Sequence, residues 1–102
     1  MAERILQINF KYNISRDEYE AAVKSLASDF ATVEGLRWKV WIINEAENEA
    51  GGIYLFEDDS SLQAYLEGPL AASISSHPAL VDMSAKQFDV MAEATAITRG
   101  PV

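Results

Sequence analysis

The stretch GLRWKVWIIN (residues 35–44), followed after a short acidic segment by GGIYLF (residues 51–56), predicts two adjacent β-strands. Successive side chains of a strand point to opposite faces of its sheet, so a strand with one solvated face alternates apolar and polar residues. The second half of the first strand instead carries apolar residues on both faces (Val40 and Ile42 on one, Trp41 and Ile43 on the other). A chain of 102 residues cannot easily cover both faces of a sheet alone. We therefore expect helices on one face and a partner subunit or a ligand on the other.

The composition limits the class of protein. Sixteen Asp and Glu residues oppose eight Lys and Arg, and the formal net charge of −8 argues against binding to nucleic acid or to an anionic membrane. The absence of cysteine excludes disulfides, thiolate catalysis and cysteine-ligated metal. We recognise no signal peptide before the first strand and no apolar run of membrane-spanning length. We therefore expect one cytoplasmic globular domain over residues 1–102.

The hydrophobic pattern predicts the element order β-α-β-β-α-β with an additional strand at the C-terminus. The predicted strands are residues 4–10, 35–44, 53–56 and 81–90, with a short fifth strand within residues 91–98. The predicted helices run from residue 15 to about residue 31 and from residue 58 to the Gly-Pro pair at 68–69, with a further turn or two over residues 70–75.

Local signals support these elements. Ser15 followed by Glu18 matches the capping box that begins a helix. Apolar residues then recur at helical spacing and should pack on the sheet (Tyr19, Val23, Leu26 and Phe30). The acidic residues 45–50, together with the two glycines at 51–52, predict a hairpin connection between the two strands.

This order is that of the ferredoxin-like split βαβ fold, an α+β arrangement in which an antiparallel sheet carries both helices on one face. The opposite face stays apolar and uncovered. Two such sheets facing each other would close a barrel, and each protomer would bury on the order of 1000 Å² or more, which is typical of an obligate homodimer.

Several short motifs identify a family resemblance. GLRWKVW (residues 35–41), Asn44, EAGGIYLF (residues 49–56) and Tyr65-Leu66 resemble the YdhR-like monooxygenases of the dimeric α+β barrel superfamily. The resemblance implies a homodimer with a pocket between the helices and the sheet or inside each half of the barrel. It also implies an oxygenase that uses neither metal nor flavin. The sequence departs from the family pattern at residues 67–70, which break a helix that in the family is longer and often carries a histidine.

Trp38, Asn44, Tyr54 and Tyr65 are the predicted catalytic residues. Regular alternation places Trp38 on the face of Leu36 and Asn44, where its ring could pack on a flat ligand. The Asn44 amide and the two tyrosine hydroxyls could hold substrate oxygens within an apolar pocket. The structural alternatives are packing of the tryptophan, a turn role for the asparagine and internal hydrogen bonding of the tyrosines.

Arg37, Lys39 and His77 are the predicted substrate-binding residues. Alternation places Arg37 and Lys39 on the face of Trp41, and a basic residue drawn toward the barrel would attract a phenolate and lower its pKa. Surface ion pairing is the alternative. His77 is the only histidine, yet its place before Pro78 also suits a turn residue. No residues stand at metal-ligand spacing, so we expect no metal site.

The predicted function is oxidation of a small aromatic or phenolic substrate by O₂ in a dry pocket. The substrate anion would itself supply electrons, and no cofactor would be required. Two alternatives remain open. One is a non-catalytic protein that binds a small hydrophobic molecule in the same pocket, and the other is a structural domain whose apolar sheet face only makes the dimer.

Overall fold

The computed structural model describes residues 2–102, so Met1 of the predicted domain lies outside the described part. Its centre is a four-stranded sheet in the order β2-β3-β1-β4, and every neighbouring pair of strands is antiparallel. The elements in chain order are β1 (Arg4–Tyr12), α1 (Arg16–Ala31), β2 (Leu36–Asn44), β3 (Glu49–Phe56), α2 (Asp59–Leu66), α3 (Pro69–Ser75), β4 (Leu80–Asp89) and α4 (Ala92–Ile97). The predicted split βαβ order is confirmed.

The hydrophobic core lies between the sheet and helices α1, α2 and α3. Alternate residues of β1 face it and are buried, as a period of two requires (Leu6, Ile8, Phe10 and Tyr12). The helices contribute further buried apolar side chains (Phe30, Leu62, Tyr65 and Ile74). We call the opposite side of the sheet the open face.

The start of α1 is the predicted capping box. The Ser15 hydroxyl accepts a hydrogen bond from the Glu18 backbone N–H, and the Ser15 N–H donates to the Glu18 carboxylate, each at 3.1 Å. These bonds satisfy two backbone donors that a helix otherwise leaves free. Of the predicted apolar stripe, Tyr19 and Phe30 at the two ends are buried, whereas Val23 and Leu26 in the middle are half-buried.

The connection between β2 and β3 is shorter than predicted. A single 3₁₀ turn (Glu45–Glu47) leads to Asn48 in the left-handed conformation, with φ of 51°, and β3 begins at the next residue. Asparagine tolerates this conformation better than most residues, so it makes the turn that the glycines were expected to make. Gly51 and Gly52 lie inside β3, and the prediction that this strand spans only residues 53–56 was wrong.

The C-terminal segment forms a helix, and the predicted fifth strand within residues 91–98 was wrong. Three alanines alternate through α4 (Ala92, Ala94 and Ala96), and alanine has the highest helix propensity of all residues. The chain then returns to the open face, where the Trp38 indole N–H donates to the Pro101 carbonyl oxygen at 2.8 Å. The other predicted helix boundaries agree, with Gly68 capping α3 and Pro69 at its first position.

A β-bulge in β2 changes the predicted side-chain directions. Leu36 lies opposite Phe56, and Trp38 lies opposite Leu55, the residue of β3 adjacent to Phe56. Arg37 is therefore an extra residue in β2, which defines the bulge. Strict alternation placed Leu36 and Trp38 on the same face, and this was wrong. Leu36 packs against the core beneath the helices, whereas Trp38 points to the open face.

None of the helices in the described part of the chain is long and apolar enough to cross a membrane.

Candidate active site

Lys39 is the central residue of the candidate site. After the bulge, Lys39 and Trp41 both point toward the helices. The Lys39 Nζ lies 3.4 Å from the ring centroid of Phe30, 3.4 Å from that of Trp41 and 4.5 Å from that of Tyr54. An ammonium group over aromatic faces is attracted by their quadrupoles. Within residues 2–102, the amine forms no ion pair with a carboxylate.

The aromatic surroundings change the acidity of this amine. Burial disfavours the charged form and lowers the pKa of Lys39 from 10.5 to about 7. No carboxylate among the described residues 2–102 counteracts this effect. A group with a pKa near the operating pH can both accept and return a proton, so Lys39 has the property required of a general base.

Gly52 provides the space in which the Lys39 side chain lies. A Cβ atom at position 52 would be 2.6 Å from the Lys39 Cε and 3.2 Å from the Tyr54 Cε1, both too close for normal packing. A glycine inside a strand often marks such a close approach. The Gly-Gly pair of β3 is therefore part of the site.

One buried tyrosine, Tyr54, adjoins the lysine, and a second, Tyr65, packs against Tyr54. The hydroxyls of Tyr54 and Tyr65 lie 3.4 Å apart, and their rings are 5.4 Å apart. Burial raises the pKa of both, with the Tyr65 charge adding to the effect at Tyr54. Tyr19 lies nearby in α1, and burial raises its pKa to about 12. All three side chains are therefore neutral hydrogen-bond donors at physiological pH.

A small cavity lies beneath the middle of α1. Its volume is about 40 Å³, and its lining is mainly apolar, with Val23 and Leu26 on the helix side and Lys39, Trp41 and Tyr54 on the sheet side. A cavity needs roughly 10–15 Å³ of such volume to hold one water molecule, so this cavity has room for a few waters but not for an aromatic ring. Because the middle of α1 is only half-buried, an outward shift of this helix would enlarge the cavity.

The structure brings together some of the predicted catalytic residues and separates others. Tyr54 and Tyr65 meet beside Lys39, as described above. Trp38 lies on the open face and is hydrogen-bonded to the C-terminal segment. Asn44 is exposed at the end of β2, and its side chain does not cap the turn that follows. Neither Trp38 nor Asn44 lines the cavity beneath α1.

The predicted substrate-binding residues also divide. Lys39 is drawn into the aromatic surroundings, whereas Arg37 lies in the bulge and pairs with Glu3 at 3.4 Å. His77 lies at the rim of the cavity, and its Nδ1 accepts a hydrogen bond from the Ala79 backbone N–H at 3.1 Å. This is the turn role that the sequence offered as its alternative.

Sequence reasoning did not identify Phe30, Trp41 and Gly52 as site residues. Phe30 was assigned to the core stripe of α1, and Trp41 to packing. A usable signal was present in the Gly-Gly pair, because glycine within a run of strand-forming residues indicates close packing by another group. Because the sequence analysis assigned this pair to a hairpin connection, it did not predict the close packing.

The fold and the site define the class of protein. A split βαβ unit with an antiparallel sheet, helices on one face and an open face of mixed polar and apolar residues is the architecture of the dimeric α+β barrel proteins. The family model described as "Putative mono-oxygenase ydhR" matches residues 5–101. The chain therefore belongs to the ydhR family, which confirms the resemblance seen in the sequence. No curated protein matches it.

Several solved structures share the fold. SnoaB, described as a cofactor-independent oxygenase from Streptomyces nogalater, superposes with a TM-score of 0.72 at 17% identity over 88% of this chain and 94% of its own. The heme-degrader MhuD from Mycobacterium tuberculosis gives 0.66 at 20% identity, covering 85% and 95%. A dimeric ferredoxin-like protein of unknown function from Thermobifida fusca gives 0.67 at 20% identity, covering 88% and 93%. Family and structural neighbours agree on an oxygenase-like fold.

Proposed function

We propose that this protein is a monooxygenase that oxidises a small phenolic substrate with O₂ in the cavity beneath α1, with Lys39 as the general base. The observation that carries the proposal is the Lys39 amine, which has no carboxylate partner in the described part of the chain and adjoins a mainly apolar cavity. The Tyr54 side chain lies beside it, and the Tyr54 hydroxyl meets that of Tyr65 at 3.4 Å.

The amine begins the reaction by accepting the phenol proton. The resulting ammonium and phenolate form an ion pair, which is strong in an apolar cavity because little water screens it. The phenolate then supplies electrons to O₂, and a C–O bond forms at a ring carbon that carries hydrogen. The ring C–H proton moves to the terminal oxygen of the peroxide anion as the O–O bond breaks, so hydroxide departs and a quinone remains. One phenol and one O₂ thus give one quinone and one water. Lys39 returns its proton to the departing hydroxide.

Tyr54 and Tyr65 are positioned to stabilise the oxygen that becomes negative. Their raised pKa values keep both hydroxyls protonated, so one can donate to the other while the second donates to the reacting oxygen. Trp41, which lines the cavity, supplies a flat apolar surface to the substrate ring, and Phe30 packs edge-on against Trp41. Trp41 thereby takes the ring-packing role that the sequence analysis gave to Trp38.

Substrate binding requires an outward shift of α1. A cavity of about 40 Å³ is far smaller than the roughly 300 Å³ or more of ordinary ligand pockets. The half-buried middle of α1, with Val23 and Leu26 over the cavity, is the part of the wall that can move. After the substrate has entered, the return of this part of α1 over the bound ring would exclude water from the reacting atoms.

A homodimer is part of the proposal. The open face exposes Val40, Val81 and Phe88, each between 41% and 50%. A second copy placed against this face would bury them and close the barrel. The description of the Thermobifida fusca protein as dimeric supports this assembly.

Oxygen consumption tests the function. Purified protein is incubated with a panel of naphthols, while an oxygen electrode and chromatography follow O₂ and quinone. Lys39→Met should lower turnover by about 100-fold or more, as loss of a general base does. Lys24→Met, which removes an exposed lysine from α1, is the matched control and should leave turnover unchanged.

Two outcomes would contradict the proposal. Turnover that survives Lys39→Met but fails in Trp38→Phe would move the chemistry to the open face. Binding of a naphthol that is recovered unchanged, with no O₂ consumed across the panel, would identify a carrier of hydrophobic molecules.

A further inference from the structure

Burial lowers the pKa of Lys39 to about 7, so at neutral pH a substantial fraction of this amine is uncharged and can act as a nucleophile as well as a base. Lysine is normally a weak nucleophile because it is protonated, and desolvation in a hydrophobic pocket is one of the ways in which proteins activate it. Lys39 meets this condition through geometry, since its Nζ lies between the Phe30 and Trp41 rings and adjoins the cavity beneath α1.

We propose that Lys39 is a covalent capture site for small, uncharged aldehydes, with which its amine forms an imine in the cavity beneath α1. This inference goes beyond the proposed function: it uses the same amine but neither O₂ nor a phenol. The amine nitrogen adds to the carbonyl carbon to give a carbinolamine. Loss of water, which contains the carbonyl oxygen and two protons, then leaves a C=N bond to Lys39.

The cavity favours this product over the free amine. The imine is neutral when formed, so it removes the cost of holding an ammonium group away from water. The remaining titratable residues that line the cavity are Tyr19, Tyr54 and His77. Both tyrosines are neutral, and the imidazole Nδ1 is engaged with the Ala79 N–H at the rim. None of these groups consumes the aldehyde in place of Lys39.

The same lining predicts selectivity by charge. A short alkyl group such as that of propanal can contact Val23, Leu26 and Trp41. Glyoxylate has a similar size but carries a carboxylate, and once the amine has become an imine no lysine cation remains to pair with it in the cavity. Burial of an unpaired carboxylate is costly, so propanal should be preferred.

Reductive trapping tests the inference on the unmodified protein. The protein is incubated at neutral pH with propanal and sodium cyanoborohydride, which converts each imine to a stable propylamine, and peptide mass mapping gives the rate at each lysine. Lys24 is exposed on α1 and serves as the internal reference. We expect Lys39 to be labelled at least about tenfold faster than Lys24, and we expect glyoxylate to reduce this ratio.

Equal labelling of Lys39 and Lys24 by propanal would overturn the inference. Gly52→Ala supplies a second test, because a Cβ at this position displaces the Lys39 Cε and should remove the preference while circular dichroism shows an intact fold. Faster labelling of Lys39 that survives Gly52→Ala would also contradict the inference. Labelling without O₂ consumption would reject only the oxygenase function, and O₂ consumption without preferential labelling would reject only the capture site.

Discussion

At the scale of single residues, the site depends on two neighbouring glycines, Gly51 and Gly52, whose missing side chains leave room for different atoms. A Cβ at Gly52 would meet the flexible end of a lysine side chain, whereas a Cβ at Gly51 would lie 1.9 Å from the Ile8 carbonyl oxygen. Backbone in a paired strand cannot move away as a lysine can. Gly51 therefore maintains the pairing of β1 and β3, and Gly52 maintains the position of Lys39.

The lowered pKa of Lys39 makes stability depend on pH in a defined direction. In the folded protein the pKa is about 7, below its ordinary value of 10.5, so between these values the unfolded chain binds more protons. The free energy of unfolding should therefore rise with pH in this range, by up to about 1.4 kcal/mol per unit.

Urea denaturation from about pH 7 to about pH 9, where tyrosines with a pKa of about 10 are still mostly protonated, measures this slope. Lys39→Met removes the titrating group and should flatten the curve relative to the wild type. Other groups contribute equally to both proteins and cancel in the difference. Parallel curves for the two proteins would show that Lys39 has an ordinary pKa in the folded state.

At the scale of elements, α1 carries one wall of the cavity and is attached most firmly at its ends. Its first turn is held by the capping box at Ser15, and its apolar stripe is buried at Tyr19 and Phe30. The Phe30 ring packs edge-on against Trp41 at 5.2 Å. This arrangement lets the middle of the helix shift while the ends remain in place.

Loss of the cap should weaken α1 measurably. Ser15→Ala removes the acceptor of the Glu18 N–H bond and should lower the free energy of unfolding by about 1 kcal/mol. Ser25→Ala is the matched control, because Ser25 is exposed in the middle of the same helix and its hydroxyl only bonds back to the Ala22 carbonyl. Urea denaturation should show no loss of stability for this control. Equal losses in both variants would disprove a specific capping contribution.

At the scale of the whole molecule, the open face leaves large apolar side chains exposed to solvent. Val40 is 50% exposed and Phe88 is 45% exposed on this face, and the C-terminal segment reaches it through Trp38 and Pro101. A polar chain from Gln7 through Asn9 to Glu49 crosses the same face, and such groups favour one register in an interface.

A charge on this face should prevent dimerisation. Val40→Glu would bury an unpaired carboxylate in the barrel. The molecular mass determined by sedimentation velocity should therefore fall from that of two chains to that of one. Ala27→Glu, which adds the same charge at an exposed position of α1, should leave the dimer intact. A wild-type protein that sediments as a monomer, or a dimer that survives Val40→Glu, would show that the open face is not the interface.

The sequence by itself determined the β-α-β-β-α-β order, the start of α1 and the family, because these follow from local periodicity, capping and contiguous motifs, whereas it predicted a strand for the C-terminal segment that is helical. It also placed Lys39 with Trp41 on one face. Only the tertiary structure decided that Lys39 lies among three aromatic rings, since Phe30 is in α1 and Tyr54 in β3, on different elements. The bulge at Arg37, which turned Trp38 to the open face, was equally hidden, because one extra residue in a strand changes its pairing with β3 and leaves no mark on local composition.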